Sequence, residues 1–232
     1  ALSAPEAQTA AKQAVASFPN ESSLRYLLFQ SMRNSGNGAA ALDALAEATE
    51  KETSADRKRE WLLELAPLAL LQDRRELAEK SLASLASLAD SASARLDAAR
   101  AMLKHGFPAM ALKCLGEAAA AYGLPPETGV EIQMASAQAE ARLGKTQEAL
   151  SRLDALLGKL AADYWRRPEI MRQRLSLVDS DEGREKLLEA ARAKVKASPQ
   201  DEAAALELAQ LLDSFSRRRE SLAALLEGGG RL

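Results

Sequence analysis

Helix-breaking positions recur along this chain at Gly36, Asp73, Gly106, Gly144, Glu182 and Ser216, in steps of 37, 33, 38, 38 and 34 residues. The residues around them keep fixed phases. Five positions after four of the breaks stand Ala41, Ala78, Ala111 and Ala149. Nine positions after five of them stand Leu45, Leu82, Leu115, Leu153 and Leu225, and seven before four of them stand Ala66, Ala99, Ala137 and Ala209. A period in this range with small residues at fixed phases is the mark of stacked helical hairpins. Two helices approach to about 8–10 Å only where side chains are small. Leucines on either side then fill the space between neighbouring hairpins, so each hairpin needs the next to cover it.

Composition agrees with an all-α chain. Aromatic residues make up 4%, β-branched residues are sparse, and Ala, Leu, Glu, Gln, Lys and Arg dominate, all of which lose little freedom in a helix. The 31 basic and 33 acidic residues nearly cancel, which argues against a dedicated nucleic-acid binder. Arg217–Arg219 and Arg166–Arg167 are the dense basic spots and read as solvated helix starts or turns. No apolar run reaches the ~18–20 residues that cross a bilayer.

The breaks divide the chain into a leading helix over 5–18 and six hairpins, pairing 22–34 with 38–52, 55–72 with 73–89, 91–104 with 108–122, 127–143 with 146–163, 168–179 with 182–197, and 199–214 with 217–227. The leading helix is either a cap or the second half of a hairpin whose first half lies elsewhere. Pro67 falls inside a helix and predicts a kink or a split there. Pro108 and Pro168 read as first-turn prolines, and Ser198–Pro199 as an N-cap and helix start. Residues 1–232 read as one domain: a leading helix in 1–20, hairpins over 21–227 and a Gly-rich stub at 228–232. The missing initiator Met and this stub suggest a processed or excised piece.

Chemistry-bearing constellations are scarce. Cys114, the one cysteine, sits between Leu112 and Leu115 and reads as a packed thiol. One free cysteine suits a reducing compartment and is equally compatible with export, so localisation is not legible. His105, the one histidine, reads as a helix C-cap rather than a catalytic or metal-binding group. Asp179, Asp181 and Glu182 read as a turn favouring the start of the following helix, and lack the spacing of a calcium loop. No phosphate-binding glycine loop is present. No enzyme activity, cofactor or metal is expected. Trp61, Tyr164 and Trp165 are few and scattered, and Trp165 reads as a core or loop-packing residue or an exposed anchor.

The segment from Ala137 to Leu150, AQAEARLGKTQEAL, resembles the core of a tetratricopeptide repeat. Ala99, Met102, Gly106, Ala111, Leu112, Leu115 and Ala118 match the same pattern, as do Leu28, Met32, Gly36, Ala41, Leu42, Leu45 and Ala48. The first-helix aromatic of that family is mostly Met, Ala or Leu here, steps of 37 and 38 exceed its usual 34, and Leu187 stands where a small residue is expected. The resemblance implies a right-handed α-solenoid of about six hairpins plus the leading helix. It also implies an interaction scaffold or adaptor that holds a peptide or partner domain on the inner wall formed by the first helix of each hairpin. On that wall the family pattern places Tyr26, Gln30 and Arg33, then Leu96, Arg100 and Lys104. Gln138, Arg142, Arg172 and Gln210 continue the row. Amides and arginines suit backbone groups and carboxylates of an extended peptide; equally, these residues could be the solvated face of each helix. The family's Lys-Asn-Asn-Lys carboxylate clamp is not found at matching places. A structural spacer or self-associating segment, and a recognition domain of a larger multidomain protein, are the alternative readings.

Overall fold

The computed structural model describes residues 4–178 and 181–228. Among the described residues the regular structure is thirteen helices and no strand. They are α1 (Ala4–Ser17), α2 (Ser22–Asn34), α3 (Gly38–Lys51), α4 (Ala55–Leu71), α5 (Arg75–Ser87), α6 (Ala92–Lys104) and α7 (Pro108–Ala119), then α8 (Pro126–Arg142), α9 (Thr146–Lys159), α10 (Arg167–Ser176), α11 (Asp181–Ala197), α12 (Glu202–Ser214) and α13 (Arg218–Gly228). They gather into two compact units, residues 1–124 and 125–232. In the first, α2 packs on α3, α4 on α5 and α6 on α7, and the hairpins join serially through α1 on α2, α3 on α4 and α5 on α6. In the second, α8 packs on α9, α9 on α10, α11 on α12 and α12 on α13. The first unit is an all-α array of hairpins held by next-neighbour contacts; in the second, α10 packs on α12 as well as on α9, and α10 with α11, the expected fifth hairpin, is not among the main packed pairs.

The periodic breaks have one shared geometry. Gly36, Asp73, Gly106, Gly144 and Ser216 all lie in the left-handed region, with φ of 78°, 58°, 81°, 76° and 61°. At each, the residue's own N–H donates to the carbonyl three back and the next N–H to the carbonyl five back, as in Gly106 N–H to Leu103 and Phe107 N–H to Met102. This closes the last turn of the helix and starts the next helix within two residues. A Cβ at Gly36, Gly106 or Gly144 would meet nothing within 4 Å, so backbone conformation, not space, selects glycine there. Ser216 adopts the same conformation with a side chain that resists it. Ser216→Gly should therefore stabilise the second unit by about 0.5–1 kcal/mol after the entropy of the more flexible unfolded chain is charged against it, read as a higher denaturation midpoint; an unchanged or lower midpoint contradicts the strain.

Small residues meet inside the hairpins. Ala66, Ala78, Ala99, Ala111, Ala137 and Ala149 are each 0% exposed. In the last hairpin Ser221 takes the alanine phase, and its hydroxyl donates across to the Ala209 carbonyl at 2.8 Å, which places the two phases face to face. Leu45, Leu82, Leu115 and Leu153 are fully buried, whereas Leu225 at the same phase is 41% exposed.

Four local readings are corrected. Glu182 is not a break: it lies within α11, which starts at Asp181; Asp179 and the side chains of Asp181 and Glu182 lie outside the described residues. At the small-residue phase Leu187 is only half-buried, and Leu188 beside it is the buried residue. Pro67 does not split α4, which runs unbroken over 17 residues around it. The sixth hairpin starts at Asp201 rather than Ser198, because the Asp201 carboxylate accepts the Ala203 and Ala204 N–H groups at 3.0 and 3.2 Å and satisfies two orphan donors of the first turn.

Candidate functional site

The candidate residues lie on the first helix of each hairpin, α2, α6, α8, α10 and α12, and each unit is described by itself. In the first unit, Tyr26 of α2 stacks on Trp61 of α4 with centroids 4.7 Å apart and planes 6° from parallel. Its hydroxyl donates to Glu64 at 3.0 Å. Burial, then the Glu64 carboxylate, push the phenol's pKa up, and a hydrogen bond from Gln30 opposes this in part. Arg33 grips the same Glu64 at 2.7 Å and lies 5.2 Å from the Phe29 ring centroid. Tyr26 and Arg33 are therefore held by α4 while their edges stay accessible. Gln30 is half-buried; Arg100 and Lys104 of α6 are exposed, and Arg100 pairs with Asp97 at 3.4 Å.

Leu96 is a correction. It is 2% exposed and belongs to the core, because the same repeat phase does not meet the same surroundings in every hairpin: Tyr26 there is half-buried and Leu63 is 48% exposed.

One element of the wall was not picked out from the sequence. Applied to α4, the phases of Tyr26, Gln30, Arg33 and Asn34 fall on Leu63, Pro67, Leu70 and Leu71. These lie along one side of the helix, turned by about 80–180° from the buried Leu62 at 3.6 residues per turn. Leu63 is 48% and Leu71 82% exposed, with Pro67 and Leu70 half-buried. The signal is present in the sequence, where Pro67 shares its side of the helix with three leucines.

In the second unit Gln138 and Arg142 on α8 and Arg172 on α10 are exposed. Arg172 has no charged partner among the described residues and lines a cavity of about 630 Å³ with Leu175, Leu188, Phe215 and Arg217. Arg217 is engaged by Glu185 at 2.5 Å. Gln210 on α12 is half-buried, and its Oε1 is buried with no hydrogen-bond partner. Nearby on α8 and α9, Arg152 binds Glu140 through two nitrogens at 2.9 and 2.5 Å and reaches Gln133 at 2.8 Å, a clamp that ties one hairpin together.

The remaining chemistry-bearing residues are engaged locally. Cys114 is buried, its thiol 3.3 Å from the Arg95 carbonyl, and burial pushes its pKa up, away from thiolate character. His105 is the C-cap of α6; burial, then Lys104, lower its pKa. Trp165 is 72% exposed, with Arg166 over its ring at 5.4 Å. No group of three His, Cys, Asp or Glu among the described residues is placed to share a metal ion. No described helix is long and apolar enough to cross a membrane.

No protein-family model matches the chain, and no curated protein matches it in sequence. Its structure is similar, over 97% of its length, to a chain in the structure of Naa15/Naa10 bound to HypK-THB, at 15% identity and a TM-score of 0.52. It spans about a third (34%) of that chain's length. It is also similar to YrrB, described as a TPR protein with an unusual peptide-binding site, with 17% identity, a TM-score of 0.42 and 84% of this chain against 95% of that one. A chain of the APC/C hetero-tetramer Cut9-Hcn1 is 10% identical, with a TM-score of 0.38 over 96% of this chain and 43% of that one. The fold is a tetratricopeptide-like helical repeat.

Proposed function

We propose that this chain is a protein-interaction scaffold that holds a partner polypeptide on the wall formed by its first-of-pair helices, with α4 at the centre of the first unit's contact surface. The observation that carries this reading is the row Leu63, Pro67, Leu70 and Leu71. Leu71, 82% exposed, gives up most of the about 1.5–3 kcal/mol that full burial of a leucine is worth, and Leu63, 48% exposed, roughly half of it; apolar surface of this kind marks interaction sites. Around it stand groups that grip polar partners: the Tyr26 edge, the Gln30 amide, and the Arg33 guanidinium fixed by Glu64. Arg100 and Lys104 hold the matching turns of α6. In the second unit, the exposed Arg172 is the group with capacity to spare.

The test uses the full chain as bait against an immobilised library of 12-residue peptides of random sequence. Leu71→Glu leaves packing intact, since that side chain is largely in solvent. It should weaken every selected peptide by about tenfold or more, the desolvated apolar contact being worth about 1.4 kcal/mol or more, with an unchanged melting temperature. Undiminished capture by this variant overturns the reading.

A further inference from the structure

Trp165, in the link between α9 and α10, leaves 72% of its surface in water, although burying an aromatic side chain removes about 150–250 Å² from solvent. Its surroundings are nonetheless fixed. The Arg166 guanidinium lies over the ring, 5.4 Å from the centroid. That side chain is only 11% exposed and is held by Glu131 at 2.7 Å and Glu169 at 2.9 Å. The Tyr164 ring stands 6.3 Å from the indole and is pinned through its hydroxyl, which donates to Glu127 at 2.5 Å. Glu127 and Glu131 belong to α8 and Glu169 to α10, so two helices order a loop whose tryptophan neither of them buries. Exposed tryptophans dominate binding energies where a partner covers them, and one whose neighbours are already ordered loses less entropy on being covered.

Charge selects the partner. The loop over 160–166 and the side chains bonded to it carry four carboxylates, Asp163, Glu127, Glu131 and Glu169, against two guanidiniums. Arg166 is enclosed by two of those carboxylates, and Arg167 is buried, donating to the Leu157 and Leu160 carbonyls at 2.8 and 3.2 Å. Asp163 is exposed and has no cationic partner among the described residues, and Glu127 is exposed with the phenol as its partner. We infer that Trp165 is a docking point for the cationic side chain of a basic polypeptide segment, an ammonium or guanidinium lying on the open indole surface with Asp163 and Glu127 as its counter-charges. The π face of tryptophan attracts cations more strongly than that of any other side chain. An acidic segment would be repelled by the carboxylate excess, and a wholly apolar one would bury those carboxylates without partners. The docking point lies in the second unit, on a link between hairpins, and does not depend on the apolar row of α4.

The experiment measures the affinity of the full chain for fluorescein-labelled octalysine amide by anisotropy at low salt, beside the same octamer acetylated on every Nζ. Trp165→Leu keeps an apolar side chain and removes the π face. The double variant Asp163→Asn/Glu127→Gln removes two charges and leaves an acceptor for the Tyr164 hydroxyl. Each should weaken octalysine about three- to tenfold at an unchanged melting temperature, because Trp165, Asp163 and Glu127 are exposed. Should Trp165→Leu lower the melting temperature, the double variant carries the comparison. Unlabelled octalysine should also shift the intrinsic tryptophan emission of wild type and leave that of Trp165→Leu unmoved, since the remaining Trp61 is 5% exposed. The acetylated octamer should not bind where octalysine saturates. Equal octalysine affinity in wild type and variants, or wild-type emission that ignores the peptide, overturns the docking point and leaves only general attraction to carboxylates. Equal binding of the acetylated octamer overturns the cationic class of partner, and no octalysine binding by wild type overturns the inference entirely.

Discussion

Leu115→Ala should destabilise the first unit by about 2–5 kcal/mol, whereas Leu225→Ala should cost the second less than about 1 kcal/mol. The two leucines occupy the same phase of the repeat, nine residues after Gly106 and Ser216. They differ in cover. Leu115 is 0% exposed, and its removal leaves a cavity, whereas Leu225 is 41% exposed and its removal opens none. Urea denaturation followed by helical circular dichroism, resolved for the two units, measures both. Equal losses would mean that repeat phase, not burial, sets the energetics.

Glu52→Ala should cost the first unit about 1–3 kcal/mol, with a signature in pH. Glu52 sits just past α3, with a side chain 0% exposed. It accepts from the Ser22 hydroxyl at 2.9 Å, the Ser54 N–H at 2.7 Å and Arg57 at 3.2 Å. One carboxylate thus ties the start of α2 to the link between α3 and α4. Burial alone would push its pKa up, but the hydrogen bonds from Ser54 and Ser22, with the charge of Arg57, outweigh burial and hold it below the ordinary 4.5. A folded pKa beneath the unfolded one means the unfolded chain binds the proton more readily. The contribution is therefore complete above about pH 4.5 and declines as pH falls through the depressed folded value. The melting-temperature gap between wild type and Glu52→Gln should be full at pH 7 and shrink below pH 4. A gap that stays constant on acidification would show that the carboxylate charge contributes nothing.

Helix positions were legible because their signals are local. Residues 22–34 match α2, and the Gly36, Gly106 and Gly144 breaks match three helix ends, since a left-handed closing residue followed at once by a new helix is written in a few adjacent residues. Asp201 outcompeted Ser198 as an N-cap for an equally local reason, and that was readable but misread. The wall was legible only in part. Tyr26, Arg33, Arg100 and Arg142 follow from phase and are half-buried or exposed, but Leu96 obeys the same phase and is in the core, while Leu63 and Leu71 look like core leucines and stand in solvent. A leucine's letter carries no record of which neighbour covers it.

By itself the sequence determined that the chain is helical, where helices stop, and which alanines must face one another, because turn conformation and side-chain volume act within one hairpin. Only the tertiary structure decided which members of each phase are covered. It turned Leu96 inward and Leu71 outward, matched Glu64 to both Tyr26 and Arg33, and sealed Glu52 among partners from α2 and α4. The physical reason is that burial and pairing of a side chain depend on residues about 30 positions away, brought alongside by stacking, and the free energy of those contacts belongs to the pair of hairpins rather than to either one.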